Sequence, residues 1–437
     1  MGIRAIFGDV FDRIPELLVS GVGSLVVLGA SIAPVAAQPP AVSGTTAAAP
    51  DTAESPPPTV AQTLLARAQE LIARGDMAGA TTALREALRL EPDLVQARSN
   101  LGLALYGMGD LDGAIEELRG LVRRHPHALQ ARLHLASALM AKQEWTAARA
   151  ELEEVLRRQP DLAQAHYSLA VVRYTRGDLP GAIDAYRAVL ARDPQHHDAR
   201  YNLGLMLKLA HRDAGAATEL LVAAQAGHAR AQYFLGAAHA GGLGVERSLV
   251  RAIGWWFAAA DGGVTQAEEA LAQLRQVATG KGRRAPAERP AVEQAFREFR
   301  AELWRGVPDL ARNGDDSVGS ALLRAGRVRE AVPLLIREAA ALSEAAQRLL
   351  EGLYERGVEG QLDPHDGRIL SYLRSASAEG QVRPRIALAR IYGGGLGVPK
   401  DIGRALSLLK ATPHEDAQRL LQELSGASEA GPTPARR

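Results

Sequence analysis

An interval of 34 residues governs the middle of this chain. Pro92, Pro126, Pro160 and Pro194 keep it, and so do Ala80, Ala114, Ala148 and Ala182. The small residues Ala68, Gly102, Ala136, Ala170 and Gly204 keep it too. Leu84, Leu118, Leu152, Tyr186 and Leu220 form a column of large residues in the same register. Four coincident columns mean that one supersecondary unit is stacked on copies of itself, since a single unit cannot bury its own apolar face.

Each unit reads as two helices. Leu101 and Leu105 mark the buried face of the first, and Gly102 lets the second approach closely. A turn follows at Gly75-Asp76, Gly109-Asp110 and Gly177-Asp178, where glycine supplies the left-handed conformation and aspartate caps the next helix. The third unit has Gln143-Glu144 there, so the most strained turn is expected in it. The second helix then runs to the proline, which cannot continue it.

These columns resemble the tetratricopeptide repeat, with small residues early, alanine on the second helix and proline at the end. The match covers residues 61–224 as about five units, the last without its terminal proline. The resemblance implies a right-handed, all-α solenoid, an α-solenoid of helical hairpin repeats.

A second pattern follows. Ala226-Gly227-His228-Ala229-Arg230-Ala231-Gln232 leads to Gly241-Gly242-Leu243-Gly244-Val245, then Ala252 and Trp255-Trp256. A copy runs from Gly380 and Arg383 through Gly394-Gly395-Leu396-Gly397-Val398 to Asp401 and Ala405. A looser one runs from Ala346-Gln347 through Tyr354 and Gly357 to Tyr372, its loop expanded between Gln361 and Asp366. These resemble Sel-one-like repeats, helical hairpins with a glycine-rich loop between the helices. The expected layout is one such repeat over residues 225–274, a linker and connecting helix over 275–316, and a degenerate hairpin with further Sel-one-like repeats over 317–424. The connecting helix carries Val292, Phe296, Phe299 and Leu303 on one face, and Asn313-Gly314-Asp315 reads as a turn. The tail, 425–437, is poor in apolar residues and reads as disordered.

Ahead of the repeats, Leu17 to Ile32 is apolar or small throughout and ends at Ala33-Pro34-Val35-Ala36-Ala37-Gln38. Residues 1–37 therefore read as a signal peptide cleaved after Ala37 or as an uncleaved N-terminal membrane anchor, with a buried soluble helix as the third reading. The two leading readings export the rest of the chain, which implies a periplasmic location. Residues 38–60, rich in proline and alanine, make a flexible tether.

Composition narrows the chemistry. Of 437 residues, 47% are hydrophobic but only 4% aromatic, which favours close-packed helices over sheets. A net charge of +1 provides no field for nucleic acid. The basic run Lys281, Arg283, Arg284 has no interleaved aromatics and reads as solvated linker. Cysteine is absent, which excludes thiolate metal sites and thiol nucleophiles. Gly393 to Lys400 has glycines but not the Gly-Lys-Ser/Thr of a phosphate loop, and Gly21-Val22-Gly23 lacks the third glycine of a dinucleotide fingerprint. His414-Glu415 is followed by Gln418 where a zinc ligand would stand. Neighbours such as His196-His197, Glu116-Glu117, Glu153-Glu154 and Glu268-Glu269 diverge by about 100° around a helix. No catalytic residue, metal or cofactor is expected; at least one of Trp255 and Trp256 is expected in the core.

The resemblance places the first helix of each hairpin on the concave side. The partner-binding groove expected on that basis comprises Gln96, Asn100, Leu103, Tyr106, Gln130, His134, Ser137, Gln164, Tyr167, Ser168, Tyr174, Tyr201 and Asn202. The family's carboxylate clamp needs Lys, Asn and Arg at set places. Here Leu65, Gln69, Gln130 and His134 stand there, and Asn100 alone matches. The expectation is a non-enzymatic protein–protein interaction scaffold or adaptor of the bacterial cell envelope. The alternative is a regulator docking on a periplasmic cell-wall or polysaccharide enzyme.

Overall fold

The computed structural model describes residues 58–280, 286–310 and 317–429. The segments expected to serve as export signal and tether, up to Pro57, and the basic run, the expected Asn313–Asp315 turn and the tail beyond Glu429 lie outside them. The described residues form 21 α-helices and no strand beyond an isolated bridge between Val358 and Leu362. The chain divides into two compact units between Ala226 and Gly227.

The first unit holds five hairpins. They are α1 (Val60–Ala73) with α2 (Met77–Leu90), α3 (Val95–Gly107) with α4 (Leu111–Arg124), and α5 (Leu129–Ala141) with α6 (Trp145–Arg158). Then come α7 (Ala163–Thr175) with α8 (Leu179–Arg192), and α9 (His197–Leu209) with α10 (Asp213–Gln225). The small and large columns explain the pairing. A Cβ added to Gly102 would stand 2.4 Å from Leu118 Cγ, and one at Gly204 would stand 2.9 Å from Leu220 Cγ. Ala68, Ala136 and Ala170 hold the same place opposite the buried Leu84, Leu152 and Tyr186. Each large side chain thus fills the hollow left by a small one, which is how interiors reach close packing.

The turns divide by chemistry. Gly75, Gly109 and Gly177 adopt positive φ near 81°, and Asp76, Asp110 and Asp178 accept hydrogen bonds from the amides of Gly79, Gly113 and Gly181. The third turn bears out its expected strain, with Gln143 at φ 63° and no side-chain cap from Glu144. The fifth shares the defect, with His211 at φ 56°.

A further column ties the second, third and fifth hairpins. Arg98 pairs with Glu117 and donates to Pro92 O. Arg132 pairs with Glu151 and donates to Pro126 O, and Arg200 does the same with Glu219 and Pro194 O. In the fourth unit His166 Nε2 meets Pro160 O at 2.8 Å. The proline that ends one unit thus leaves a carbonyl that the next unit satisfies.

The second unit opens with α11 (Ala229–Gly241), α12 (Leu249–Asp261), α13 (Thr265–Ala278) and α14 (Arg289–Leu303). Three hairpins follow: α15 (Val318–Arg324) with α16 (Val328–Ala340), α17 (Glu344–Arg356) with α18 (Gly367–Ala378), and α19 (Val382–Gly394) with α20 (Ile402–Lys410). The last helix, α21 (Glu415–Glu429), continues past Ser425 into the first residues of the segment expected to be disordered. Trp256 is fully buried against Gly236 and donates Nε1–H to Tyr233 O at 3.1 Å, as expected for one of the two tryptophans. On α14, Val292, Phe296 and Phe299 are buried, and Phe299 stacks on Phe257 at 5.1 Å. In the GGLGV loops Gly242 and Gly395 take left-handed conformations at the helix ends, the ordinary glycine stop. Tyr354 OH donates to Leu396 O at 2.9 Å, which fastens the middle hairpin to the loop of the last.

Two charged groups hold this unit internally. Glu338 is wholly buried and caps α15, accepting from Ser317 Oγ and from the amides of Val318 and Gly319. Arg275, on α13, donates Nε–H and Nη2–H to the two oxygens of Glu379, at the end of α18, at 2.7 and 2.6 Å.

Candidate partner-binding face

The first helices of consecutive hairpins, α1, α3, α5, α7 and α9, sit at one position of the repeat, and α1 packs on α3, α3 on α5 and α5 on α7. One side of each is committed to its own hairpin and one to its neighbour. The remaining side carries most, but not all, of the residues expected to meet a partner.

Gln96, Gln130 and Gln164 are exposed and stand in equivalent places on α3, α5 and α7. Asn100, Tyr106, Tyr167 and Tyr174 are half-buried, as are Leu103, Ser137 and Ser168. Such residues offer amides and phenols that pair with a backbone, together with apolar area. Burial pushes the Tyr106 phenol up to about 12 and raises those of Tyr167 and Tyr174, so all three stay neutral at physiological pH.

His134, Tyr201 and Asn202 depart from the expected open lining. They are 4%, 7% and 2% exposed. His134 on α5 meets Ser99 on α3, with Nδ1 3.1 Å from Ser99 Oγ, while Nε2 lies 2.9 Å from Gln130 Nε2. Burial lowers its pKa to about 4, so the ring is neutral. Asn202 on α9 donates to Tyr167 OH on α7 at 2.9 Å. The Tyr167 ring in turn stacks on His196 at 5.1 Å and meets Tyr186 edge-on at 5.5 Å. His134 and Asn202 thus face the neighbouring first helix rather than the open side, and their polar atoms hold adjacent units in register.

His196, the most ligand-like histidine in the sequence, caps α9 by accepting from the Ala199 amide. His228 caps α11 in the same way. Among the described residues no cluster of three or more His, Asp or Glu side chains is placed to hold a metal. No helix among them is long and apolar enough to cross a membrane.

The tetratricopeptide-repeat model matches residues 65–128, 99–163, 133–195 and 167–228, and the Sel1-repeat model matches residues 229–264 and 385–411. No curated protein matches the chain in sequence. Among solved structures the chain is similar to MamA 41-end from Desulfovibrio magneticus RS-1, at 23% identity over 39% of this chain and 96% of that one, with a TM-score of 0.36. It is also similar to c5321, a protective antigen of uropathogenic Escherichia coli strains displaying an SLR fold, at 17% identity over 86% and 88% of the two chains and a TM-score of 0.39. YrrB, a TPR protein with an unusual peptide-binding site, matches at 20% identity over 42% of this chain and 92% of its own, with a TM-score of 0.34. Repeat proteins of these two kinds are typically interaction scaffolds and usually not enzymes. With its two runs of hairpins and the family models laid along both, this chain is a tetratricopeptide-repeat protein that continues into Sel1 repeats.

Proposed function

We propose that the chain is an exported scaffold of the bacterial cell envelope, and that its first unit holds an extended segment of a partner protein against the first helices. The observation that carries this reading is the row of uncharged, hydrogen-bonding side chains in register on α3, α5 and α7. Gln96, Gln130 and Gln164 recur at the repeat interval, and Asn100, Tyr106, Tyr167 and Tyr174 lie beside them, partly covered. Rigid phenols and amides over an apolar floor suit a partner's backbone, and their burial on binding contributes more than that of flexible charged side chains. Export rests on the apolar run from Leu17 to Ile32 and the small residues Val35 and Ala37. An inner-membrane anchor by residues 17–37 is the other form of the same proposal.

The test uses the full chain in its native cell. The double variant Asn100→Ala/Tyr106→Ala should lose captured partner, at about 1–4 kcal/mol for truncation of a central contact, with helix content unchanged. Wild-type yield of the partner would place the binding surface elsewhere. Mass spectrometry should find the mature N-terminus at Gln38, or an intact chain in the membrane fraction. An intact, soluble chain in the cytoplasm would end the envelope reading.

A further inference from the structure

The second unit has a cavity of about 660 Å³ lined from α17, α19 and α21, a size that suits a small ligand or a few residues of chain. Its lining includes the apolar Ile386 and Leu420 and the buried amides of Gln347 and Gln381, which bond to each other at 3.0 Å. Gln347 also reaches Ala339 O. These groups are satisfied within the protein.

Two others are not. Glu351 lines the cavity, and its Oε1 is buried without a hydrogen-bond partner. It stands on the eighth residue of its helix, a place held by Gly236 in α11 and Ala389 in α19. A carboxyl group therefore occupies a position that those two helices fill with the smallest side chains. Burial raises its pKa to about 7, against the pull of Arg383 and Arg390. The second group is Arg383, also in the lining, which makes no hydrogen bond and no ion pair among the described residues. The cavity's other two guanidiniums differ: Arg390 lies 3.7 Å from Glu355, and Arg419 lies 3.9 Å from Asp416. A buried acceptor without a donor costs about 1–3 kcal/mol, a cost that a donor brought into the cavity would remove.

We infer that this cavity is a second recognition site, which takes an extended peptide segment of a partner protein whose Asp or Glu side chain pairs with Arg383 while a neighbouring backbone N–H donates to Glu351 Oε1. A peptide places a donor and a carboxylate a few ångströms apart. A guanidinium binds a carboxylate in a two-pronged geometry that a neutral acceptor cannot match. The near-balance of acidic and basic side chains around the rim gives a polyanion such as nucleic acid no field to follow. All of its residues belong to the second unit, so the inference does not depend on the face proposed for the first.

The probe is a phage-displayed library of short random peptides selected on the full chain, with affinities of the recovered peptides read by fluorescence anisotropy. One recovered class should carry a recurrent Asp or Glu. Its affinity should fall at least about tenfold in Arg383→Ala, the loss of a charge-assisted contact, and should be unchanged in Asn100→Ala/Tyr106→Ala. Glu351→Leu should weaken the same class. Changing the peptide's acid to its amide should weaken binding to the wild-type chain and leave binding to Arg383→Ala unaltered, the signature of a direct pair. Arg383 makes no internal hydrogen bond, so its variant should keep wild-type circular dichroism. Three outcomes would overturn the inference: no acidic class, an acidic class indifferent to Arg383→Ala, or free glutamate competing as well as the peptides.

Discussion

Replacing Glu379 by alanine should unfold the second unit at markedly lower denaturant. Arg275 has a side chain only 5% exposed, and Glu379 supplies both of its short hydrogen bonds, at 2.7 and 2.6 Å. Without Glu379 the guanidinium keeps a long contact to Ala340 O at 3.5 Å and the largely exposed Glu268 at 3.6 Å. A nearly buried charge would then be left without its counter-ion, which costs about 3–5 kcal/mol. At an m-value of about 2–3 kcal/mol per M, that lowers the urea midpoint by roughly 1–2.5 M. Tryptophan fluorescence reads the transition, because Trp255, Trp256 and Trp304 all lie in this unit and only Trp145 lies in the first. The pair itself need contribute little, since taking two charges out of water offsets most of their attraction. The double variant Arg275→Met/Glu379→Leu should therefore recover most of the stability. A loss below about 1 kcal/mol for Glu379→Ala, or a double variant as weak as the single, would refute the reasoning.

Two further outcomes concern the first unit. His134 is held at a pKa of about 4 against an ordinary 6.5, so below 6.5 the unfolded chain takes up a proton that the folded chain does not. Its contribution is intact above pH 6.5 and declines by about 1.4 kcal/mol per pH unit as pH falls towards 4. His134→Gln should flatten that slope in denaturation measured between pH 4 and 7, and an unchanged slope would show that the ring is not buried neutral. At the third turn, Gln143→Gly relieves a left-handed residue at φ 63°. It should raise the melting midpoint by the equivalent of about 0.5–1 kcal/mol, the left-handed penalty less the added freedom of the unfolded chain. Gly177→Ala should lower it, and a Gln143→Gly variant less stable than the wild type would contradict the strain.

The repeat itself was legible along the chain because each hairpin is a local object. Gly102 and Leu118, or Ala136 and Leu152, stand at the same short separation in every unit, so one period encodes which faces meet. The third turn's defect was equally open, since only glycine takes left-handed φ without cost. The column of Arg98, Arg132 and Arg200, with Glu117, Glu151 and Glu219, obeys the same period and was there to be read, as were the glycines that follow each capping aspartate.

Tertiary structure alone decided which first-helix residues stay open. His134, Tyr201 and Asn202 share the composition of a groove lining, but how far each is covered depends on the approach of the preceding first helix, a distance that no residue pattern states. Arg275 and Glu379 lie 104 residues apart, and nothing local marks either as the other's partner. Glu351 reads in sequence as one more solvated acid on a helix. Its burial comes from the packing of its helix in three dimensions, because whether a charge is solvated is a property of what surrounds it in space, not of its neighbours along the chain.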